Sequence, residues 1–289
     1  DQVTLYDNET DSRFFRKKDM NLVYKELLHF KENYGVEYNY FWADTFLSWN
    51  DREFDQFCEM YADIRLPFWM QTRPETITED KVKRLADVGL HRISFGLEHG
   101  NEAFRKKLLK REWKNKAIID ALKIPARYGV AFSVNNITGF PTETRELAMD
   151  TIELNRHIDS HNQNLYSFVP FHGTPLRTLC EEMGLVKPDT ITKALTDKPM
   201  LIQKQYSVEE IEGLQKCFVL YVKMDKKRWK DIQRAEADTP EGNRIFEELR
   251  REYLDSTPAA AGIENSEQSN VPDLEYGLEK SGASKIDKC

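Results

Sequence analysis

The sequence predicts an α/β fold built on a parallel β-sheet, and three observations lead to this class. Short apolar runs typical of buried strands alternate with longer segments whose apolar residues recur at helical spacing. This strand–helix pair repeats five times in a row with short links, which favours parallel strands joined by right-handed crossovers. Several helical segments are followed directly by glycine, a residue that commonly ends a helix.

The elements follow from these patterns in chain order. A first helix is predicted over residues 19–33, where Met20, Val23 and Leu27 recur at helical spacing and Gly35 follows. The predicted strands are residues 38–41, 66–71, 92–97, 130–137 and 165–169. The predicted helices between and after these strands are residues 53–62, 80–88, 102–109, 114–128, 143–158 and 176–183.

The pattern changes after Pro188. Two amphipathic helices are predicted at residues 207–229 and 240–253, and we expect them to cover an edge or a rim of the sheet. From Ser256 onward the composition cannot bury enough apolar surface to offset the entropy of ordering, so this tail is predicted to be disordered. The predicted domains are therefore residues 1–187, 188–255 and 256–289.

Composition and charge narrow the classes of partner. The 289 residues carry a net charge of −7, which argues against nucleic acid as the main partner. No apolar run is long enough to cross a bilayer, and the chain begins without a basic-then-apolar leader. We therefore expect no membrane partner and a cytoplasmic location.

The cysteines predict neither a metal site nor a disulfide framework. Cys58, Cys180, Cys217 and Cys289 are far apart, and no two stand at the spacing of a local metal cradle. Disulfide frameworks belong mainly to small secreted domains, so buried or exposed free thiols are expected. No metal-ligating residue is assigned.

Polar residues stand beside glycine or proline where the predicted strands end. Asp44 follows the first strand and Arg73 the second, while Glu98 follows the third between Gly96 and Gly100. Glu98 could accept hydrogen bonds from a vicinal diol, Arg73 could hold a carboxylate, and Asp44 could accept from an ammonium group. Because the carboxyl ends of parallel strands meet at one edge, the sequence predicts a ligand site there.

Each of these residues also has a structural explanation. Asp44 and Glu98 could cap helices, and Arg73 could pair with a neighbouring acid. A simple turn would explain the Gly139-Phe140-Pro141 segment, and Glu143 could complement a helix dipole. The recurrence of such residues at five successive strand ends favours a shared site.

These stretches resemble the radical SAM superfamily, most closely the branch whose members often carry an N-terminal cobalamin-binding domain. The matching stretches are residues 41–47, 67–78, 89–101, 134–145 and 168–176, within a similarity spanning about residues 14–185. The resemblance implies a partial TIM-type (β/α)6 barrel, S-adenosylmethionine and a [4Fe-4S] cluster. In that family the cluster reduces S-adenosylmethionine to a 5′-deoxyadenosyl radical, which abstracts hydrogen from a substrate. The resemblance also makes cobalamin a candidate cofactor. It implies an electron donor such as a flavodoxin or ferredoxin, and a substrate that is a small molecule or another, unidentified compound.

The resemblance also assigns cofactor-binding positions. Asp44 falls where the family contacts the methionine amino group, and Glu98 where a ribose-binding acid is common. Gln71 and Arg73 fall where the methionine carboxylate or the substrate would lie. The positions that match segments along the adenine are Ile137, Gly139, Pro141, Glu143, Phe168 and Pro170. No catalytic residue is assigned.

The chain departs from the family at its most diagnostic motif. Members carry CxxxCxxC after the first strand, and this chain has no such motif. The Phe14-Phe15-Arg16 segment resembles the residues that come after that loop in relatives, so we expect a barrel that lacks its first strand and its cluster loop. The prediction is a fragment of an enzyme, inactive by itself, with C-terminal helices.

Two other functions fit the residues. A catalytically inactive barrel could bind S-adenosylmethionine or a related nucleoside without redox chemistry. An unrelated TIM-type hydrolase or lyase would need two acids facing each other at the mouth, and no spacing in the sequence demands such a pair.

Overall fold

A computed structural model of the chain describes residues 17–194 and 198–256, which contain five parallel strands in one sheet. The strands are β1 (Asn39–Phe41), β2 (Phe68–Thr72), β3 (Leu90–Glu98), β4 (Ala131–Thr138) and β5 (Asn162–Ser167). Their order across the sheet is the order along the chain, and every neighbouring pair is parallel. The α/β class with a parallel sheet is confirmed. Most of the tail predicted to be disordered lies outside the described residues, and Ser256 itself ends a helix.

Eleven α-helices occur in the described part of the chain. Those of the strand–helix units are α1 (Met20–Tyr34), α2 (Asp51–Ile64), α3 (Glu79–Val88), α4 (Glu102–Leu109), α5 (Asn115–Leu122), α6 (Ile124–Arg127), α7 (Arg145–Arg156) and α8 (Pro175–Glu182). Those that come after them are α9 (Val208–Lys223), α10 (Trp229–Ala235) and α11 (Pro240–Ser256). None of the helices in this part of the chain has the length and apolar character needed to cross a membrane.

Local sequence explains where several helices begin. At α2 the Asn50 side chain accepts the Glu53 N–H, and the Glu53 carboxylate accepts the Asn50 N–H in return. Thr78 caps α3 through its hydroxyl, and Gly35 ends α1 in the left-handed conformation. These ends fix the short links and thereby the lengths of the strands between them.

One face of the sheet is apolar and packs on the helices. Phe68, Met70, Ile93 and Phe95 are fully buried on this face. Phe57 of α2 lies at the centre of an aromatic group between this face and the helices. Along β2 fully buried residues therefore alternate with half-buried ones. One face of the strand packs on the helices, and the other faces the interior of the barrel.

The opposite face is polar and carries a ladder of side-chain hydrogen bonds. The Trp69 indole donates to Ser94 Oγ at 2.9 Å, and Ser94 lies 3.0 Å from Ser133 Oγ. Tyr40 of β1 and Tyr166 of β5 interact electrostatically across this face, and burial together with Tyr40 raises the pKa of Tyr166. The sheet therefore curls into a partial barrel around a polar interior.

Of the helices expected to cover an edge of the sheet, α9 packs against β5, and α10 and α11 pack against α9. The Gln215 amide of α9 donates to the Leu165 carbonyl of β5 at 3.1 Å. Tyr206 and Ile211 are fully buried against α7 in a separate apolar cluster. Thr138 Oγ1 and Tyr206 Oη lie 3.1 Å apart, which joins this cluster to the end of β4.

Most predicted elements differ from the structure by one to three residues at an end, and three differences have a clear cause. The strand predicted at residues 165–169 begins three residues earlier, on Asn162. The helix predicted at residues 114–128 is divided into α5 and α6, where Pro125 lies in the first turn of α6. The helix predicted at residues 207–229 ends at Lys223, and a 3₁₀ turn at Lys226–Arg228 precedes α10.

Candidate functional site

The predicted site residues lie along the carboxyl edge of the sheet. The register pairs Thr72 with Phe95, Glu98 with Asn136 and Thr138 with Ser167, so the ends of β2 to β5 stand side by side. The turn after β1, which contains Asp44, is tied to this edge by the Phe46 N–H, which donates to the Gln71 carbonyl at 2.9 Å. A ligand at this edge could therefore contact several strand ends at once.

Charged side chains gather at the ends of β1 to β3. Arg73 is electrostatically coupled to Asp44, Glu98 and Arg111, and the acidic Glu75 also acts on it. These five groups bring both signs of charge together within one small region. Such a mixture can bind a ligand that carries an ammonium and a carboxylate group.

Glu98 is held in an unusual backbone conformation at the end of β3. Its φ is 70°, although it is not glycine. The Glu98 carboxylate folds back over the strand towards Gly96. A Cβ built at Gly96 would lie only 2.5 Å from Glu98 Oε1. Gly96 therefore provides the space in which this carboxylate lies.

Burial and nearby cations act in opposite directions on Glu98. Burial raises the pKa of Glu98, and the guanidinium groups of Arg111 and Arg73 partly offset this increase. One oxygen, Oε1, forms an ion pair with Arg111 at 3.2 Å. The other accepts no hydrogen bond from the described residues, and 19% of the side chain is exposed. A ligand hydroxyl could therefore reach this carboxylate.

The guanidinium of Arg73 forms no ion pair or hydrogen bond within the part of the chain that the structure describes. Burial lowers the pKa of Arg73, and the neighbouring Arg111 lowers it further. An exposed cation with five donors that are unused within the described residues favours a planar anionic partner, such as a carboxylate.

Arg111 belongs to the site, although it was not among the residues predicted from the sequence. It lies in the loop between α4 and α5, and Nη1 donates to the Gly96 carbonyl at 3.0 Å. Nη2 of the same side chain pairs with Glu98, so Arg111 fixes both the strand and the carboxylate. No spacing in the sequence links residue 111 to residue 98, and only the tertiary fold brings them together.

A second group of predicted residues forms an apolar part of the edge at β4 and β5. The Phe140 and Phe168 rings lie 4.9 Å apart, and both side chains are buried. Gly139 has a φ of 83°, and a Cβ built there would lie 3.1 Å from Ile211 Cδ1. Pro141 is also buried. This group offers an apolar surface and turn backbone rather than charged side chains.

Glu143 lies inside the fold at the base of this turn. Its carboxylate is fully buried and accepts the N–H groups of Gly139 and Phe140 at 2.5 and 2.9 Å. His99 Nε2 lies 3.1 Å from the same carboxylate. Glu143 therefore faces protein donors, and the assignment of a direct cofactor contact to it stays a prediction.

The remaining predicted residues differ in how accessible their side chains are to a ligand. The Gln71 amide donates to the Tyr40 hydroxyl on the polar face of the sheet. Ile137 is half-buried in β4 beside the apolar group. Pro170 is buried, and its carbonyl accepts from Arg177 Nη1 at 3.3 Å. Of these three, Gln71 and Ile137 can still contact a ligand through their side chains.

The described cysteines do not fit an iron–sulfur cluster. Cys58, Cys180 and Cys217 are buried in three different helices, α2, α8 and α9. Burial raises the pKa of each thiol, to about 11, 11 and 12 respectively, whereas metal ligation requires thiolates. Residues 17–194 and 198–256 contain no group of three or more His, Cys, Asp or Glu residues that could hold a metal.

Two curated proteins are similar in sequence to this chain. The chain is 25% identical over 220 residues to an uncharacterized methyltransferase of Pyrococcus horikoshii, an alignment covering 75% of this chain and 48% of that protein. It is 26% identical over 165 residues to the tRNA-2-methylthio-N(6)-dimethylallyladenosine synthase of Fusobacterium nucleatum, covering 54% of this chain and 35% of that protein. The chain therefore spans about half or less of the length of these relatives.

The fold and the family agree with each other. The cobalamin-dependent S-adenosylmethionine radical enzyme OxsB, solved with aqua-cobalamin bound, matches 82% of this chain and 42% of its own with a TM-score of 0.54 and 11% identity. At that identity the likeness shows the fold alone. The family model of the radical SAM superfamily matches residues 6–154, just over half of the 289-residue chain. The chain belongs to the radical SAM superfamily.

Proposed function

We propose that this chain forms the S-adenosylmethionine-binding wall of a radical SAM enzyme. The observation that carries the proposal is the division of the carboxyl edge into a charged part at β1 to β3 and an apolar part at β4 and β5. S-adenosylmethionine has the same division, with a charged methionine end and a flat adenine. The cluster-binding cysteines of the parent enzyme would lie outside the described residues.

Each end of the ligand has candidate contacts in this arrangement. Asp44 would accept from the methionine ammonium group, and Arg73 would hold the methionine carboxylate in bidentate fashion. Glu98, kept in place by Arg111, would accept hydrogen bonds from the ribose hydroxyls. Ile137 and the turn near Gly139 would border the adenine beside Phe168.

The role of this chain is to bind and orient. In the parent enzyme the bound S-adenosylmethionine would supply a 5′-deoxyadenosyl radical once a [4Fe-4S] cluster, served by an electron donor such as a flavodoxin or ferredoxin, reduces it. Cobalamin is a further candidate cofactor of that parent, and its substrate is a small molecule or another, unidentified compound. We also propose that residues 1–187 form the barrel unit, that residues 188–255 form its helical cover, and that the enzyme works in the cytoplasm.

Substitution of Glu98 tests the nucleoside pocket without the cluster. We expect the chain to bind 5′-methylthioadenosine, and Glu98→Ala to weaken this binding at least about a hundredfold. Two hydrogen bonds to a charged group each contribute roughly 1.5 to 3 kcal/mol, and about 1.4 kcal/mol corresponds to a tenfold change. Isothermal titration calorimetry measures both affinities.

Two controls make this experiment specific. Glu112→Gln changes an exposed acid whose ion pair among the described residues is with Lys106, and it should leave the affinity unchanged. The wild-type chain should bind the 2′-deoxy form of the ligand more weakly than 5′-methylthioadenosine. Glu98→Ala should bind the two ligands equally weakly, because the acceptor of the hydroxyl is gone. Equal binding of 5′-methylthioadenosine by wild type and Glu98→Ala would contradict the proposal.

The pH dependence of binding is a separate prediction. The ribose hydroxyls need an ionised acceptor, and burial raises the pKa of Glu98 above its ordinary value of 4.5. Affinity should therefore be constant above this raised pKa and fall by about tenfold per pH unit below it. The loss should begin at a higher pH than an ordinary glutamate would give, and Glu98→Gln should show no such loss. Calorimetry between pH 4.5 and 8 on folded protein checks both statements.

A catalytically inactive binding barrel is the second candidate. The burial of Cys58, Cys180 and Cys217 in separate helices favours it, because none of them can serve a cluster. Such a barrel should bind S-adenosylmethionine much more tightly than 5′-methylthioadenosine without any iron. A wall that holds the methionine end together with a cluster should show a weaker preference for S-adenosylmethionine without iron, and its affinity for S-adenosylmethionine should rise once the cluster is assembled. Anaerobic reconstitution of a longer form of the protein with iron and sulfide, followed by visible absorption, tests the cluster itself.

A further inference from the structure

Glu98 occupies a strained turn that its neighbours must impose. The His99 N–H donates to the Leu97 carbonyl at 3.0 Å, which closes a γ-turn with Glu98 at its centre. A γ-turn of positive φ is rare, and a side chain held in such a region costs on the order of 1 to 3 kcal/mol. The φ of 70° at Glu98 therefore persists only because the surrounding contacts over-determine it.

The buried imidazole of His99 belongs to the residue whose N–H closes this turn, and the hydrogen bonds of the ring define which nitrogen carries the proton. Nδ1 accepts the Asn101 N–H at 3.1 Å, so Nδ1 carries no proton. The ring proton is then on Nε2, which lies 3.1 Å from Glu143 Oε1 and donates to it. A proton on Nδ1 would place the Nδ1–H group against the Asn101 N–H, and two donors cannot form a hydrogen bond with each other. His99 is therefore the neutral Nε2–H tautomer.

The two oxygens of Glu143 serve different parts of the edge. Oε1 accepts from His99, in the loop that follows β3. Oε2 accepts the N–H groups of Gly139 and Phe140, in the turn that follows β4. Both side chains of this pair have no exposed surface. One carboxylate therefore joins the charged part of the edge to its apolar part.

We propose that His99 and Glu143 form a buried positioning pair that holds Glu98 in its γ-turn and fixes the spacing between Glu98 and the Gly139–Pro141 turn. The inference rests on the proposed nucleoside site, since this spacing would set the distance between the ribose and adenine contacts. Neither residue needs to touch the ligand.

Other contacts should keep variants of this pair folded. Arg105 Nη1 donates to the His99 carbonyl at 2.6 Å, and the Gly100 N–H donates to Thr151 Oγ1 at 2.9 Å. Asn115 Nδ2 donates to the Gly100 carbonyl at 2.8 Å. All three involve the backbone of the loop rather than the imidazole, so they remain when the ring is changed.

Two single variants break the same link from opposite sides. His99→Phe keeps a ring beside Phe104 but removes both ring nitrogens. Glu143→Gln is nearly isosteric and can keep an oxygen towards Gly139 and Phe140 while its amide N–H₂ faces the His99 N–H. We expect each variant to weaken 5′-methylthioadenosine binding about tenfold in calorimetry. The double variant should be no weaker than either single variant, because both remove one shared link.

A ligand-free measurement separates this inference from the proposed function. Carbon-13 NMR follows the titration of the Glu98 carboxyl, and its raised pKa should fall towards 4.5 in both variants as the carboxyl becomes more exposed. Nitrogen-15 NMR of the wild type should show a proton on Nε2 of His99 and none on Nδ1. If the wild type binds no nucleoside but these shifts occur, only the proposed function fails. If folded Glu143→Gln retains both the wild-type affinity and the wild-type Glu98 titration, the positioning pair is wrong.

Discussion

Gly100→Ala is expected to lower the free energy of unfolding by about 3 kcal/mol, at the upper end of what overpacking usually costs. A Cβ built at Gly100 would lie 2.1 Å from the Asp150 carbonyl oxygen and 2.5 Å from Thr151 Cα. Both atoms belong to the backbone of α7, so no side-chain rotation can relieve the clash. The loop after β3 must then move away from α7, and the Gly100 N–H loses its bond to Thr151.

Urea unfolding followed by circular dichroism measures this loss, and Gly129→Ala is its matched control. Nothing lies within 4 Å of a Cβ built at Gly129, which has a φ of 67°. That variant bears only the cost of a left-handed conformation, about 1 to 2 kcal/mol. Equal destabilisation by the two variants would show that the close approach of the loop to α7 is unimportant.

Phe57→Ala should be at least as damaging, with a loss of about 4 kcal/mol in the free energy of unfolding. Only 1% of Phe57 is exposed, and its ring centroid lies 5.0 Å from that of Trp49 and 5.2 Å from those of Phe46 and Tyr61. Truncation leaves a cavity between α2 and the sheet that these rigid rings cannot close. Phe46 belongs to the same turn as Asp44, so the charged part of the edge should loosen as well.

Thermal and urea unfolding of Phe57→Ala should be compared with those of Phe171→Ala. The Phe171 side chain is 53% exposed, and its truncation should change the free energy of unfolding by less than about 0.5 kcal/mol. A similar small change for Phe57→Ala would mean that the aromatic group adapts to the cavity. Near-ultraviolet circular dichroism reports whether the remaining rings keep their packing.

The apolar periodicity was sufficient to predict the order and type of the strand–helix units, because it records which side of each element is buried. Helix α4 has the predicted bounds, since Asn101 caps its start and the chain turns left-handed at Lys110. The predicted bounds of β5 were too far along the chain, because the first residues of the strand, Asn162, Gln163 and Asn164, are polar. Gln163 is nevertheless buried, with its amide donating to two carbonyls at the end of α7 and just beyond it.

The site was only partly predictable from the sequence. Asp44, Arg73 and Glu98 could be found because each stands at a strand end, and parallel strands bring such positions together. Arg111 could not be found, because a surface-like loop of basic residues gives no sign that one of them folds back onto β3. The environment of Glu143 was equally hidden, since a fully buried carboxylate and a solvated one are the same letter in a sequence.

The sequential order of the strands has a consequence for how this half-barrel assembles. Within the described residues each strand pairs only with strands adjacent to it along the chain. Pairing therefore never has to wait for a distant segment, and the loops that must close are short. During synthesis the sheet can grow one strand at a time from β1 towards β5. Helix α9 follows these strands along the chain and packs against β5, where it limits pairing with a further strand.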